Sequence, residues 1–293
     1  MKLEKLKLII KLSKLIMKKN KLKVLFLTCL MTTSFIAAFS AEAHPRWILP
    51  SHFTVSKQGG DWISFDVSAS NSTFNFDKAP DSETARVMMP DGRELEPNNV
   101  TRGQRRSIFD FYFSEEGTHK VHINQHPKYY TRYQSGHRET LKTVEANKAN
   151  RNQLLPEKAR NVYTEVNYTR AESYITVGKP STKVMEISGE YLEMVPLTHP
   201  ADIVEGQPVT LQFFFYGKPQ AGVKIDITRE GTMYRNRQEQ INLVSDKDGK
   251  ITFTPYIAGR YLLKSNYIGN INNNSMYDKA NVSVHFTFEA LLK

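Results

Sequence analysis

The strongest constraint on this chain is a repeated alternation of apolar and polar residues in short runs. Ser107–Phe113 sets Phe109, Phe111 and Phe113 on one side and Asp110 and Tyr112 on the other, and Asp61–Val67 sets Ile63, Phe65 and Val67 against Trp62, Ser64 and Asp66. A period of two marks a strand with one buried face. The same period recurs in Val209–Phe215, Val223–Ile227, Ile251–Phe253 and Val282–Phe288. Turn-forming residues stand between these runs, at Pro90-Asp91-Gly92, Gly217-Lys218-Pro219 and Asp248-Gly249. Short strands at regular spacing favour sandwiches. The expected fold is therefore all-β, with two antiparallel β-sandwich domains of immunoglobulin-like or prealbumin-like kind spanning 44–184 and 185–293. The boundary is placed near Thr182–Ser188, after the extended segment Glu165–Val177 and the turn Gly178-Lys179-Pro180. Leu141–Arg160, rich in Lys, Asn, Glu and Ala with Pro156 inside it, is expected as a helical or irregular insertion near 141–160.

Residues 1–43 read as a signal peptide. Lys18–Lys23 forms a positive n-region, Val24–Phe39 an apolar stretch, and Ser40-Ala41-Glu42-Ala43 an A-x-A cleavage site. An uncleaved anchor is the other reading of this stretch, and a start at Met17 would give a more ordinary signal length. The formal charge of the whole chain is +10, but nine Lys against Glu4 and Glu42 fall within 1–43, so the body is nearly balanced. The basic balance thus belongs to targeting and argues against nucleic acid as a partner. After Ala43 no apolar run approaches the roughly 18 residues of a spanning helix, so stable membrane insertion is not expected. Cleavage would remove Cys29, the only cysteine, and leave His44 as the first residue of a periplasmic chain.

The residues also carry a family pattern. His44-Pro45-Arg46-Trp47-Ile48-Leu49-Pro50-Ser51 opens it, followed by Trp62, Asp66, Ser70-Asn71, Pro90-Asp91-Gly92 and Arg106-Ser107-Ile108-Phe109-Asp110. Gly117-Thr118, Gly178-Lys179-Pro180, Leu192–Pro200 and the turns at 217–223 and 246–253 complete it. Together these resemble the exported family called domain of unknown function 4198, whose members are often labelled periplasmic components of cobalt or nickel uptake. The resemblance implies a role beside a membrane metal-uptake transporter or an outer-membrane receptor. One departure is Lys78 after Phe76-Asp77, where similar proteins often carry a His.

An N-terminal His supplies an α-amine and an imidazole Nδ1 that together close a chelate ring. The amine loses its proton near neutrality, with a pKa of about 7.7–8.0, and imidazole suits Cu, Ni and Zn. The expected ligands of a divalent transition metal, Ni or Co by resemblance and Cu by ligand chemistry, are His44, His126, His137 and His199, with Asp66 and Asp110 as outer-shell partners that orient an imidazole. His119 shares parity with the core face and reads as structural, and His285 as a solvated residue of the last strand. No G-x-S-x-G elbow, P-loop or G-x-G-x-x-G is present, so no enzyme is expected. A rival class is a carbohydrate-binding or adhesion module that uses Tyr129–Tyr133 as a sugar platform. Mass spectrometry of the exported chain is expected to show a first residue of His44; any other start removes the chelate.

Overall fold

The architecture follows from one long strand, Arg160–Val177, whose two faces are both buried. Its odd-numbered residues Ala171, Ile175 and Val177 enter one hydrophobic core. Its even-numbered residues Val166, Tyr168 and Tyr174 enter another. The structure, a computed structural model, describes residues 44–136 and 140–293. The expected signal peptide and His137 lie outside the described residues.

Three sheets build the body. The first orders Arg46–Pro50, Asp61–Ala69, Ser107–Phe113 and Asn98–Arg102 as antiparallel neighbours. The second, the largest, runs from Ile241–Val244 through Lys224–Arg229, Gly259–Asn270 and Lys279–Ala290 to Arg160–Val177. It then continues through Gly117–Asn124 and Ala85–Met88 to Glu94–Leu95. The third groups Leu192–Pro196, Val209–Phe215, Lys218–Pro219 and Lys250–Phe253. The first sheet closes over one half of the large sheet around Ile48, Phe65, Val87 and Phe109. The third closes over the other half around Leu211, Phe213, Ile225, Leu263 and Phe286. This is the all-β sandwich the alternation predicts: Ser107, Phe109, Phe111 and Phe113 are buried while Tyr112 is exposed.

The large sheet passes without interruption through both 44–184 and 185–293. Its joint is a parallel ladder in which Glu165–Ser173 pairs with Lys279–Thr287. His44–Lys293 accordingly forms one compact unit. The segment at the expected boundary, Lys183–Met185, is a 3-10 turn that buries Val184 and Met185 in the second core. The region 141–160 takes a different form from a helix. Leu141–Glu145 is a strand paired with Lys128–Gln134, and only Arg151–Gln153 makes a single 3-10 turn. Cross-strand pairing to an exposed edge decides that conformation against a helix-favouring composition.

A third, small cluster joins Trp47, Leu49 and Phe53 to Leu262, with Phe74 and Phe76 packed on it. Trp47 is fully buried, with Phe74 at its edge at 5.4 Å and Phe76 tilted against it at 5.4 Å. The first strand therefore buries both faces, Ile48 toward one core and Trp47 and Leu49 toward this cluster.

The shared ladder predicts one cooperative melt. Phe109→Ala in one core and Phe286→Ala in the other should each cost about 3–5 kcal/mol. Each should lower the midpoint of a single transition in urea, read by circular dichroism, because neither half keeps its sheet when the other is lost. Two resolved transitions, each moved by only one substitution, would contradict this.

Candidate functional site

His44 stands at the entry to the first strand, over the aromatic cluster around Trp47. Its imidazole is about a quarter exposed, and two side chains flank it. Nδ1 lies 3.0 Å from Asn71 Oδ1, and Nε2 lies 3.9 Å from Asp77 Oδ2. The amide oxygen of Asn71 can only accept, so Nδ1 carries the proton in this arrangement. In the neutral ring Nε2 then presents a lone pair toward a carboxylate. Two acceptors facing each other leave a place for a proton or a metal cation. The loop reaches this point because Lys78 and Ala69 exchange both backbone hydrogen bonds, and Ser70 N–H donates to Pro45 O, which ties the turn to the strand below His44. Asp77 was not singled out by ligand patterning. The family departure at position 78 was the signal that could have found it.

The other expected ligands do not gather here. His126 is exposed beyond the end of strand Gly117–Asn124 and lines a different cleft. His199 caps the 3-10 turn Pro200–Asp202, where its Nδ1 accepts from Ala201 N–H at 3.1 Å. Its Nε2 reaches Thr118 Oγ1 at 3.0 Å and Ser181 O at 3.2 Å, so both ring nitrogens serve the framework. Asp66 pairs with Arg106 at 3.1 Å, while burial raises its pKa against the pull of Arg106 and Arg260. Asp110 accepts from Ser64 Oγ at 2.6 Å and from Asn99 Nδ2 at 3.1 Å. Each carboxylate thus takes a guanidinium, hydroxyl or amide partner within the first sheet. Among the described residues no group of three or more His, Cys, Asp or Glu is placed to hold a metal ion.

Three further histidines, His119, His122 and His285, sit inside the fold, His122 with its Nε2 3.0 Å from Glu94 Oε1. His119 is fully buried, with Phe113 edge-on at 5.0 Å, as its parity predicts. His285 is buried rather than solvated. The polar face of the last strand is covered by the first strand, and His285 Nδ1 lies 2.8 Å from Arg46 O and 3.2 Å from Arg46 N. Strand parity names the face but not the element that covers it.

A separate concentration of aromatic and polar side chains lines a cleft of about 540 Å³. Four tyrosines line it: Tyr168 from the long strand, Tyr191 from the turn before Leu192–Pro196, Tyr216 after Val209–Phe215, and Tyr277 before the last strand. Tyr191 stacks on Tyr168 at 4.3 Å and 19°. The hydroxyls of Tyr216 and Tyr277 are hydrogen-bonded to each other. Burial, followed by neighbouring tyrosines, pushes the Tyr191 and Tyr216 hydroxyls far above their ordinary range, so both stay protonated. Beneath them lies a buried ionic network. Arg170 donates to Asn124 Oδ1 and to Glu193, Glu193 accepts from Ser188 and Gly189, and Lys120 faces Glu172 at 3.5 Å. The sequence pattern missed this cleft, because its rings are scattered between positions 168 and 277. Of the expected sugar platform, Tyr129 instead turns inward against Tyr277, since the period of two sends Tyr129 and Tyr130 to opposite faces.

Fold and sites define a β-sandwich protein with a half-buried, acid-flanked histidine near the start of its first strand and a separate aromatic cleft. The chain belongs to the family described as domain of unknown function (DUF4198), which it matches over residues 41–269. A search of curated proteins finds no match. Among solved structures, the D0-D1 domain of intimin is 11% identical, with 82% of this chain and 96% of that chain covered and a TM-score of 0.22. The Yersinia pseudotuberculosis adhesin InvE is 12% identical, with 82% and 58% covered and a TM-score of 0.23. At such scores these likenesses carry no weight for function.

The burial of His285 has a pH consequence. Desolvation lowers its pKa to about 4, reinforced by Lys264 and Arg46 and opposed by the hydrogen bond that Nδ1 gives to the Arg46 carbonyl. The unfolded chain binds this proton near pH 6.5, the folded chain only near 4. Stability is therefore whole at neutral pH and falls as pH drops across that window, by up to about 3 kcal/mol. His285→Gln keeps a polar partner for Arg46 and should flatten the part of the urea-midpoint profile between pH 6.5 and 4 that His285 contributes.

Proposed function

We propose that this protein is a non-enzymatic, periplasmic binder of a divalent transition ion, with His44 as the central ligand. The ion is cargo, Ni or Co by family resemblance and Cu by ligand chemistry, passed to a membrane importer or outer-membrane receptor. The observation that carries this reading is the meeting of His44 with Asp77 and Asn71, which lie about thirty residues away in sequence. Removal of the leader would add the α-amine to this group, giving two nitrogens of His44 with the Asn71 amide oxygen beside Nδ1 and the Asp77 carboxylate behind Nε2. That donor set fits a borderline divalent ion better than a soft one.

Pro45 narrows the mode of binding. A second residue with an N–H can lose that proton and offer its amide nitrogen to a metal, but proline has none. The chelate would then be limited to the amine and Nδ1, placing the ion on the Asn71 side of the ring, while Asp77 on the other side would accept the proton moved to Nε2 and so orient the imidazole. To bind this way Nδ1 must exchange Asn71 for the ion, at the cost of one exposed hydrogen bond of about 0.5–1.5 kcal/mol. His126 and His199 are not needed for this site.

Calorimetry with Ni, Co and Cu salts tests the reading on chains beginning at His44. One Ala placed ahead of His44 should weaken binding at least about tenfold by removing the amine from chelation. Asp77→Asn should weaken it by a smaller factor and leave the melting temperature unchanged. Equal affinity in the Ala-extended chain would reject the chelate. Equal affinity in both variants would reject His44 as the centre of the site.

A further inference from the structure

The tyrosine cleft carries a feature that packing alone does not account for. Tyr191 has φ of 48° and Tyr216 has φ of 49°. A bulky side chain in this left-handed region costs of order 1–3 kcal/mol. Glycine takes such positions without penalty, and glycines already occupy the same turns at Gly189 and Gly217. The two strained residues are tied together, because Tyr216 N–H donates to Tyr191 O at 2.9 Å. Both rings open onto the same cleft, with Tyr216 tilted against Tyr191 at 5.8 Å and 45°. Backbone strain retained at two linked positions, each displaying a ring in one cleft, is the pattern of a binding surface.

The chemistry of the lining narrows the ligand. Tyr168 and Tyr191 stack face to face at 4.3 Å, which leaves no gap for a group to insert between them. Tyr168 is almost wholly covered, so the pair supports a platform and does not form a box. Four-walled aromatic cages suit quaternary ammonium ions; a platform suits a flat apolar face. Around the platform stand hydrogen-bonding groups of both kinds, including Asn124, Gln125, His126 and Glu190. Arg86, the cationic member, is already occupied by Glu96 and by the carbonyls of Glu83 and Ala85. The cleft is therefore not built to attract an anion. Its floor is rigid, since Asn124 is held by Arg170, itself bonded to Glu193. One ligand class presents both an apolar C–H face for stacking and a ring of hydroxyls for mixed donors and acceptors. We propose that this cleft binds a neutral carbohydrate of one to a few sugar units, stacked on Tyr191 and Tyr216. None of the cleft's lining residues contacts His44, so the site is independent of the proposed metal site.

The test uses the purified protein in a chelating buffer, against an array of neutral mono- to tetrasaccharides followed by calorimetry on the strongest hit. Tetramethylammonium chloride and inorganic phosphate serve as comparison probes. Tyr191→Asn tolerates the left-handed backbone and removes the ring. It should lower the melting temperature modestly, since lost stacking on Tyr168 is partly offset by relieved backbone strain, leave the chain folded, and weaken the glycan at least about tenfold. Tyr191→Phe keeps the ring and should stay within about threefold of the parent. A parallel Tyr216→Asn variant covers the case in which the first variant fails to fold. The proposal is overturned if no neutral glycan binds, if binding survives loss of the ring in a folded variant, or if only tetramethylammonium or phosphate binds.

Discussion

Every part of this molecule depends on the parallel pairing of Arg160–Val177 with Lys279–Ala290. Parallel strands normally lie in sheets covered on both sides, and the long strand obeys that rule in an unusual way. One face contributes Ala171, Ile175 and Val177 to a core closed by the first sheet. The other contributes Val166, Tyr168 and Tyr174 to a core closed by the third. A single strand thus supplies the inner surface of two sandwiches. The halves cannot be pulled apart as beads on a linker, because the linker is itself the shared wall.

Alternation in the sequence was a faithful guide wherever a strand had one face in and one face out. Ser107–Phe113 and Val209–Phe215 bury the residues their period marks. Its failures share one cause. A period states which residues share a face, but not what covers the opposite one. His285 looked solvated because its neighbours Ser283 and Thr287 are polar, yet the backbone of Arg46 lies over it. Leu141–Glu145 had little apolar pattern at all, and its conformation comes from the edge of Lys128–Gln134. The candidate sites divide in the same way. His44 was an expectation drawn from its position after Ala43, and its neighbours Asn71 and Asp77 emerged only from the fold. The tyrosine cleft was not legible, because its rings come from four segments far apart in sequence. Tyr beside Gly, in Gly189-Glu190-Tyr191 and Tyr216-Gly217, was the one local trace of it.

The two sites draw on different physics. At His44 a carboxylate and an imidazole nitrogen face each other across 3.9 Å near the surface, an arrangement that favours a cation between them. In the cleft the Arg170–Glu193 pair is buried below the surface, and the solvent meets protonated hydroxyls and aromatic carbon with Glu190 and the already paired Arg86 at the rim. Arg170 and Glu193 are each almost inaccessible, and such a pair adds little net stability while fixing one arrangement of the groups above it. Rigidity at the floor and strain at the rim are therefore parts of one construction.

The shared wall also sets an order in time. A chain made and threaded from its N-terminus presents Arg160–Val177 long before Lys279–Ala290 emerges. Until that last strand arrives, Glu165–Ser173 lacks its parallel partner and the second core lacks Val282, Val284, Phe286 and Phe288. Such long-range pairing is slow to form. A pairing between segments more than a hundred residues apart thus leaves the second core open until its last strand has been added.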